Sequence, residues 1–231
     1  MDAVALPACA MDAWLCQFDR ILILAPHPDD ELFGCYALMA KAQTLQLNVQ
    51  VHVLTDGELC FGALPAAETA ALRRTRQSES VAAAQYLGYP VPHFWQLPDA
   101  QLMQHAQALQ DMLRPLCTPR TLCVATWTED SHPDHEAVGL CVQRLQQQQC
   151  CTALYYPVWS LVDPVRHAKW HAQSGTHYTL QLSPLQQAQK RAAAQLFRSQ
   201  LQPGDGASHT IVAAPTLQRF VSLQEHYWHE H

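Results

Sequence analysis

Short apolar runs alternate along the chain with longer stretches whose apolar residues recur at helical spacing. The runs predict strands over Arg20 to Ala25, Val49 to Leu54, His93 to Gln96, Thr121 to Thr126, Ala153 to Tyr156 and His177 to Leu182. Helices are predicted between them, near 30–46, 67–87, 100–115, 135–149 and 184–201. Strand and helix in alternation are the pattern of βαβ units, so the expected fold is α/β with a mainly parallel sheet flanked by helices. Ser183-Pro184 gives the last helix an N-cap followed by proline at its first position. Asp56 to Pro65, with two glycines and a proline, predicts a loop able to border a site, and Gln202 to Ala207 predicts a second loop. Gln146 to Gln149 is read as a short polar helix end. No repeat or linker divides the chain, and a single domain over 1–231 is expected.

Composition narrows the function classes. A chain of 231 residues can bury a large core without disulfides or a structural metal. Its net charge is −6 and its 14 Lys and Arg are scattered, grouped only briefly at Arg73-Arg74-Thr75-Arg76, which argues against nucleic-acid binding. The stretch Ala3 to Leu15 is too short for a membrane span, and no positive segment precedes it, so neither signal peptide nor span is expected. Nine cysteines form no CxxC pair, and Cys35, Cys123 and Cys141 fall in predicted buried elements, which fits a reduced, cytoplasmic protein.

The chemistry sits where two apolar strands end. Ile21-Leu22-Ile23-Leu24 leads into His27-Pro28-Asp29-Asp30-Glu31, and Leu122-Cys123-Val124-Ala125 leads into Asp130-Ser131-His132-Pro133-Asp134-His135. In an open α/β sheet the carboxyl ends of the strands face the ligand crevice, so two such clusters point to one shared site. The site forms if the first and fourth strands are neighbours at the reversal of strand order.

A catalytic zinc site takes three nitrogen or oxygen ligands and leaves a position open. His27 and Asp30, three apart at a strand-to-helix turn, face one ion, and His135 completes the set. Asp29 is then the candidate general base, and His132 the donor to an oxyanion, with Asp134 holding its tautomer through the other ring nitrogen. Ferrous iron or cobalt accepts the same ligands. One His-Pro-Asp string alone reads equally well as a capped turn, but a pair at two strand ends favours a functional site. Glu31 is the weakest member, because the helix dipole favours a carboxylate in a first turn whatever the site does. His226, His229 and His231 read as a frayed tail. Trp95, Trp127, Trp159 and Trp170 read as core or pocket wall. No dinucleotide fingerprint, phosphate loop or nucleophile elbow is present.

Over about Arg20 to Gly139 the sequence resembles the PIG-L (LmbE-like) zinc-dependent N-deacetylases. The resemblance rests on Ala-Pro-His-Pro-Asp-Asp-Glu at 25–31 with Gly34, on Thr55-Asp56-Gly57-Glu58, on Arg76-Gln77-Ser78-Glu79 before Leu87-Gly88, and on Asp130 to His135. Lys190 with Ser199-Gln200 is a looser match. The resemblance implies a Rossmann-like fold and hydrolysis of an N-acyl group, usually the acetyl of an N-acetylglucosamine unit. It assigns His27, Asp30 and His135 to zinc, Asp29 as general base and His132 to the oxyanion, oriented by Asp134. Arg76 and Asp99 match positions that contact the sugar or support the pocket. The chain departs from the family at Tyr36-Ala37, where a glycine pair is common, and its 150–231 segment, which shapes the pocket in relatives, matches nothing specific.

The expected function is hydrolysis of an N-acyl group from an amino-sugar conjugate, a small molecule. An amidase on a thiol conjugate or antibiotic intermediate shares the same reacting centre, and a non-catalytic metal-bound binding protein is the alternative of another class. The motif-bearing core spans about 20–140 and the substrate-shaping part about 150–231; oligomeric state is not encoded in these motifs.

Overall fold

The computed structural model describes residues 8–203 and 210–231, so the predicted loop over Gln202 to Ala207 lies largely outside the described residues. In chain order the elements are α1 (Ala8–Leu15), β1 (Arg20–Ala25), α2 (Asp30–Thr44), β2 (Val49–Thr55), α3 (Ala66–Leu87), β3 (His93–Leu97) and α4 (Ala106–Leu113). There follow β4 (Thr121–Thr126), α5 (Pro133–Gln147), β5 (Thr152–Tyr156), α6 (Pro164–His171), β6 (Thr176–Gln181), α7 (Pro184–Ala194), α8 (Arg198–Leu201), α9 (Ala214–Phe220) and β7 (Gln224–His229). The strands form one sheet in the order β3-β2-β1-β4-β5-β7-β6, giving a single α/β domain.

From β3 to β5 neighbouring strands run parallel, with Ile21 opposite both Val49 and Leu122. β7 is antiparallel to both β5 and β6. Successive side chains of a strand point to opposite faces. Ile21 and Ile23 accordingly enter one core with Phe33 and Leu38, while Leu22 and Leu24 enter the other with Val138 and Val142. Helices cover both faces, which is why β1 and β4 read as unbroken apolar runs. From β1 the chain order proceeds to β2 on one side and to β4 on the other, and the reversal opens a crevice at their carboxyl ends.

Several elements differ from the sequence pattern. The helix expected over 184–201 stops at Ala194 and resumes as α8; its start carries the Ser183 cap, with Gln186 reaching back to complete a capping box. The tail expected to fray is strand β7, which carries His226 and His229, and His229 Nδ1 lies 2.9 Å from the Ala153 carbonyl. Its pattern hides a strand because Glu225 occupies a buried position. That carboxylate accepts from Lys190 Nζ at 2.6 Å, Tyr227 Oη at 2.6 Å and the Ala37 N–H at 2.8 Å, so its charge is fully partnered.

The Tyr36-Ala37 departure lies on this seam, with both residues buried in α2. Gly34, on the same helix, lets Tyr156 pack flush against it, since an added Cβ would stand 2.1 Å from the ring. Among the described residues no helix is long and apolar enough to cross a membrane, and every cysteine is free.

Candidate active site and metal centre

β1 ends at Ala25 and α2 begins at Asp30, so four residues turn the chain at the mouth of the sheet. Asp29 caps α2 with φ 130°, a conformation L-residues rarely adopt. Two neighbours hold it there. Glu31 Oε2 accepts the Asp29 N–H at 2.9 Å, its other oxygen accepting from Ser80 Oγ at 2.5 Å. Arg76 donates to the carbonyls of Gly57 at 2.7 Å and Pro28 at 2.9 Å and reaches Asp29 Oδ2 at 3.4 Å. Gly57 has φ 62°, and a Cβ there would overlap the guanidinium, so glycine permits both the turn and the close approach.

Across the crevice, His132 caps α5 and Pro133 occupies its first turn. His135, one turn on, is fixed from behind by Thr126 Oγ1, which donates to its carbonyl at 2.9 Å. The outcome is a tight triangle. His27 Nδ1 lies 3.2 Å from Asp30 Oδ2, His135 Nε2 lies 3.2 Å from the same oxygen, and the two nitrogens are 3.3 Å apart. Nitrogen and oxygen donors about 2.0–2.1 Å from one tetrahedral ion stand about 3.3 Å from each other. The three donors therefore fit a single divalent cation. His132 also has a ring nitrogen within 4.8 Å of those of His27 and His135.

Each histidine of the triangle has a carboxylate on its far nitrogen. His135 Nδ1 faces Asp130 Oδ2 at 2.8 Å, and His27 Nε2 faces Asp99 Oδ1 at 3.3 Å and Asp134 Oδ2 at 3.4 Å. Such partners fix the tautomer and raise ligand basicity. Asp130 is itself held by the N–H groups of Val158, Trp159 and Ser160 and by Ser160 Oγ. Asp134 accepts from the N–H groups of Ala100 at 2.7 Å and Leu102 at 3.0 Å.

Burial disfavours charge on both imidazoles, yet Asp134, Asp30 and Asp99 raise His27 well above the ordinary histidine value, and Asp30 with Asp130 raises His135 to about 9. Asp30 is driven the other way: burial opposes its charge, but His135 and His27 hold it far below the usual carboxylate range. Asp29 is raised well above a normal carboxylate by burial, with Arg76 opposing. His132 falls to about 4 through burial and the charges of His27 and His135, and is neutral near pH 7.

The expected role of Asp134 is corrected in one respect. Its carboxylate turns toward His27 and the 100–102 backbone, whereas its backbone N–H, at the start of α5, donates to His132 Nδ1 at 3.2 Å. A neutral His132 with Nδ1 accepting carries its proton on Nε2. Asp99 and Arg76 lie against His27 and Asp29 respectively, and both also line the cavity over the cluster. Glu31 is fully buried and positions the backbone of Asp29, beyond any dipole effect. Asp130 has a role that spacing in the sequence left unassigned; its signal was its place five residues before His135.

A cavity of about 120 Å³ opens over this cluster, walled by Trp159, Ile211, Val212 and Phe220 and reached by His27, Asp29, Asp30 and His132. The segment after residue 150 therefore supplies an apolar wall. Trp159 stands in it, whereas Trp127 and Trp170 are buried against each other and Trp95 donates to His52.

Fold and site together define a Rossmann-like α/β protein with a cation-competent centre at its switch point. Residues 22–145, more than half of the chain, match the PIG-L family, GlcNAc-PI de-N-acetylase. The chain belongs to that family, whose members are deacetylases, hydrolases that act on amide bonds.

Solved structures agree in fold. A triple mutant of a deacetylase of the teicoplanin biosynthetic pathway shares 18% identity over 91% of this chain and 97% of that one, with TM-score 0.65. The deacetylase of the A40926 pseudoaglycone shares 19% over 91% and 96%, also with TM-score 0.65. The N,N'-diacetylchitobiose deacetylase from Pyrococcus horikoshii shares 18% over 87% and 82%, with TM-score 0.55. No curated protein sequence matches the chain.

Proposed function

We propose that the protein is a metal-dependent N-deacetylase that releases an acyl group, acetyl above all, from the amino group of a sugar-containing small molecule. The observation that carries this reading is the His27–Asp30–His135 triangle, with Asp29 and His132 both reaching the cavity beside it. Zinc is the proposed ion, held by those three residues. When bound, such a cation polarises a carbonyl and makes water acidic near neutral pH.

The chain's own groups supply the remaining chemistry. Asp29, held by Arg76 and Glu31, accepts the proton of the attacking water. His132, with its proton on Nε2, donates to the oxygen on which charge develops, an interaction worth about 3–4 kcal/mol. The leaving amine takes up the proton that Asp29 received. The cavity of about 120 Å³ is smaller than a pocket for a whole ligand, so it holds the reacting amide while the rest of the substrate lies outside.

A second substrate reading, an acylated amino sugar on a large antibiotic-type aglycone, is favoured by the apolar wall of Trp159, Ile211, Val212 and Phe220. Both readings are tested by acetate release from N-acetylglucosamine conjugates with polar and apolar aglycones, with chelator and after zinc is restored. Chelator-sensitive release that zinc rescues is expected, and the aglycone series ranks the two substrates. Release that survives complete metal removal would sink the metallohydrolase reading. Metal-loaded protein that leaves every conjugate intact would favour the binding-protein alternative.

A further inference from the structure

A second group of metal-competent side chains lies away from the active site. Cys117 follows the 3-10 turn Arg114–Leu116, Cys123 is in β4, and Cys151 immediately precedes β5. Cys123 pairs in register with Ala153, so Cys151, two residues earlier, shares its face of the sheet. Cys117 and Cys151 both stand before their strands, at the end of the sheet opposite to the His27–Asp30–His135 triangle. The three sulfurs all lie within 4.8 Å of one another, and Cys117 Sγ is 3.7 Å from Cys123 Sγ. Thiolates about 2.3 Å from one ion stand about 3.8 Å apart in a tetrahedral arrangement and about 4.0 Å apart in a trigonal one.

Hydrogen bonding to Cys117 and burial push the Cys123 and Cys151 thiols up, so a metal must displace their protons, while cationic groups face Cys117. The guanidinium charges of Arg114 and Arg20 act on Cys117, and Arg114 Nη1 lies 3.3 Å from Cys150 Sγ. Arg20 spends one nitrogen on the Leu116 carbonyl at 3.2 Å, while its buried Nε has no partner. Cysteines that only fill a core need no cations beside them. Cys123 and Cys151 are buried and Cys117 is half-buried, and Cys151 also lines a surface cavity with Thr152 and Gln146.

We propose that Cys117, Cys123 and Cys151 form a three-sulfur site for a thiophilic d10 cation, Zn2+ or Cu+, separate from the catalytic centre. Three S–H protons leave as three sulfur–metal bonds form, and no electron is transferred. With Zn2+ the site carries one net negative charge, and with Cu+ two, which Arg20 and Arg114 offset. Soft thiolates prefer these ions over the hard cations that carboxylates hold. Three sulfurs suffice for trigonal Cu+, whereas Zn2+ recruits a water as its fourth ligand.

The test uses the full chain, stripped of metal and reduced with a phosphine. Cadmium, a zinc surrogate, and Cu+ are titrated separately while the ultraviolet thiolate-to-metal charge-transfer band is followed. The active-site triangle itself contains no sulfur, but Cys60 lines its cavity, so the titration is repeated in Cys60→Ser, where a band that persists reports the cysteine group. The band is expected in the wild type and in Asp30→Ala, to persist in Cys141→Ser, and to vanish in Cys117→Ser. Cadmium X-ray absorption on the wild type at half an equivalent of metal, which three sulfurs take ahead of the nitrogen and oxygen donors of the triangle, depends on no variant folding and is expected to count three sulfur neighbours.

The relative affinity of the two ions decides which occupies the site. Absence of a band with both metals, or a band that Cys117→Ser leaves intact, would overturn the proposal. So would conversion of Cys117 and Cys123 to a disulfide together with failure of the reduced protein to take up either ion.

Discussion

At the residue scale, the far side of each histidine decides how well the triangle holds a cation. Asp130 supports His135 through Nδ1 and is itself fixed by three backbone N–H groups and a hydroxyl. Asp130→Asn is expected to lower zinc affinity about 10- to 100-fold, with activity recovering as zinc is raised, measured by competition with a chromophoric chelator. Asp29→Ala is expected to bind zinc normally and to lose about 10²–10⁴ in kcat, because it removes the proposed proton acceptor and no member of the triangle. His27, Asp30 and His135 were legible as a set because close spacing at strand ends restricts where such side chains point. Asp99, Asp130 and Asp134 were not, since the orientation of their carboxylates depends on segments 99–102 and 158–160 arriving from elsewhere in the chain. A backbone N–H doing the work expected of the Asp134 carboxylate is likewise invisible before the helix start is placed.

At the scale of elements, α5 must lie close against the end of β4 to deliver His135. Gly139 makes that approach possible, since a Cβ there would stand 2.6 Å from the Thr126 carbonyl oxygen and 2.9 Å from the Thr128 nitrogen. Backbone atoms yield poorly to such overlap, and Gly139→Ala is expected to cost about 1–3 kcal/mol, read as a fall in thermal midpoint. The same variant is expected to lose activity, because the crowded carbonyl belongs to Thr126, whose Oγ1 steadies His135.

The parallel strands were legible from their apolar runs, which both-face burial requires. β7 was not, because Glu225 breaks its apolar alternation and its burial is made tolerable by groups distant in the chain, Lys190 and the Ala37 N–H, together with Tyr227. The break between α7 and α8 also escaped the pattern, and it brings Ser199 to Glu79 and Gln200 to the cavity wall.

At the scale of the whole molecule, acid sensitivity follows from histidines folded away in neutral form. Burial lowers His52 to about 4, aided by the charges of His93 and Arg20, and its Nδ1 accepts from Trp95 Nε1 at 3.1 Å. A depressed folded value means that the unfolded chain binds the proton first, so this stability is complete above about pH 6.5. It is lost as pH falls from there through about 4, and amounts to at most about 3 kcal/mol. His52→Gln keeps an acceptor for Trp95 and is expected to show a shallower decline of folding free energy over that window in denaturant titrations.

The α/β class and one shared crevice were visible from the sequence, whereas the apolar wall drawn from residues after 150 required the assembled sheet. That wall and the triangle are joined through Asp130, which grips His135 with one hand and the 158–160 turn with the other. Loading the proposed centre with zinc is expected to tighten this link and to slow amide hydrogen exchange at Val158, Trp159 and Ser160, so that metal content becomes readable in a segment that contributes no atom to the triangle.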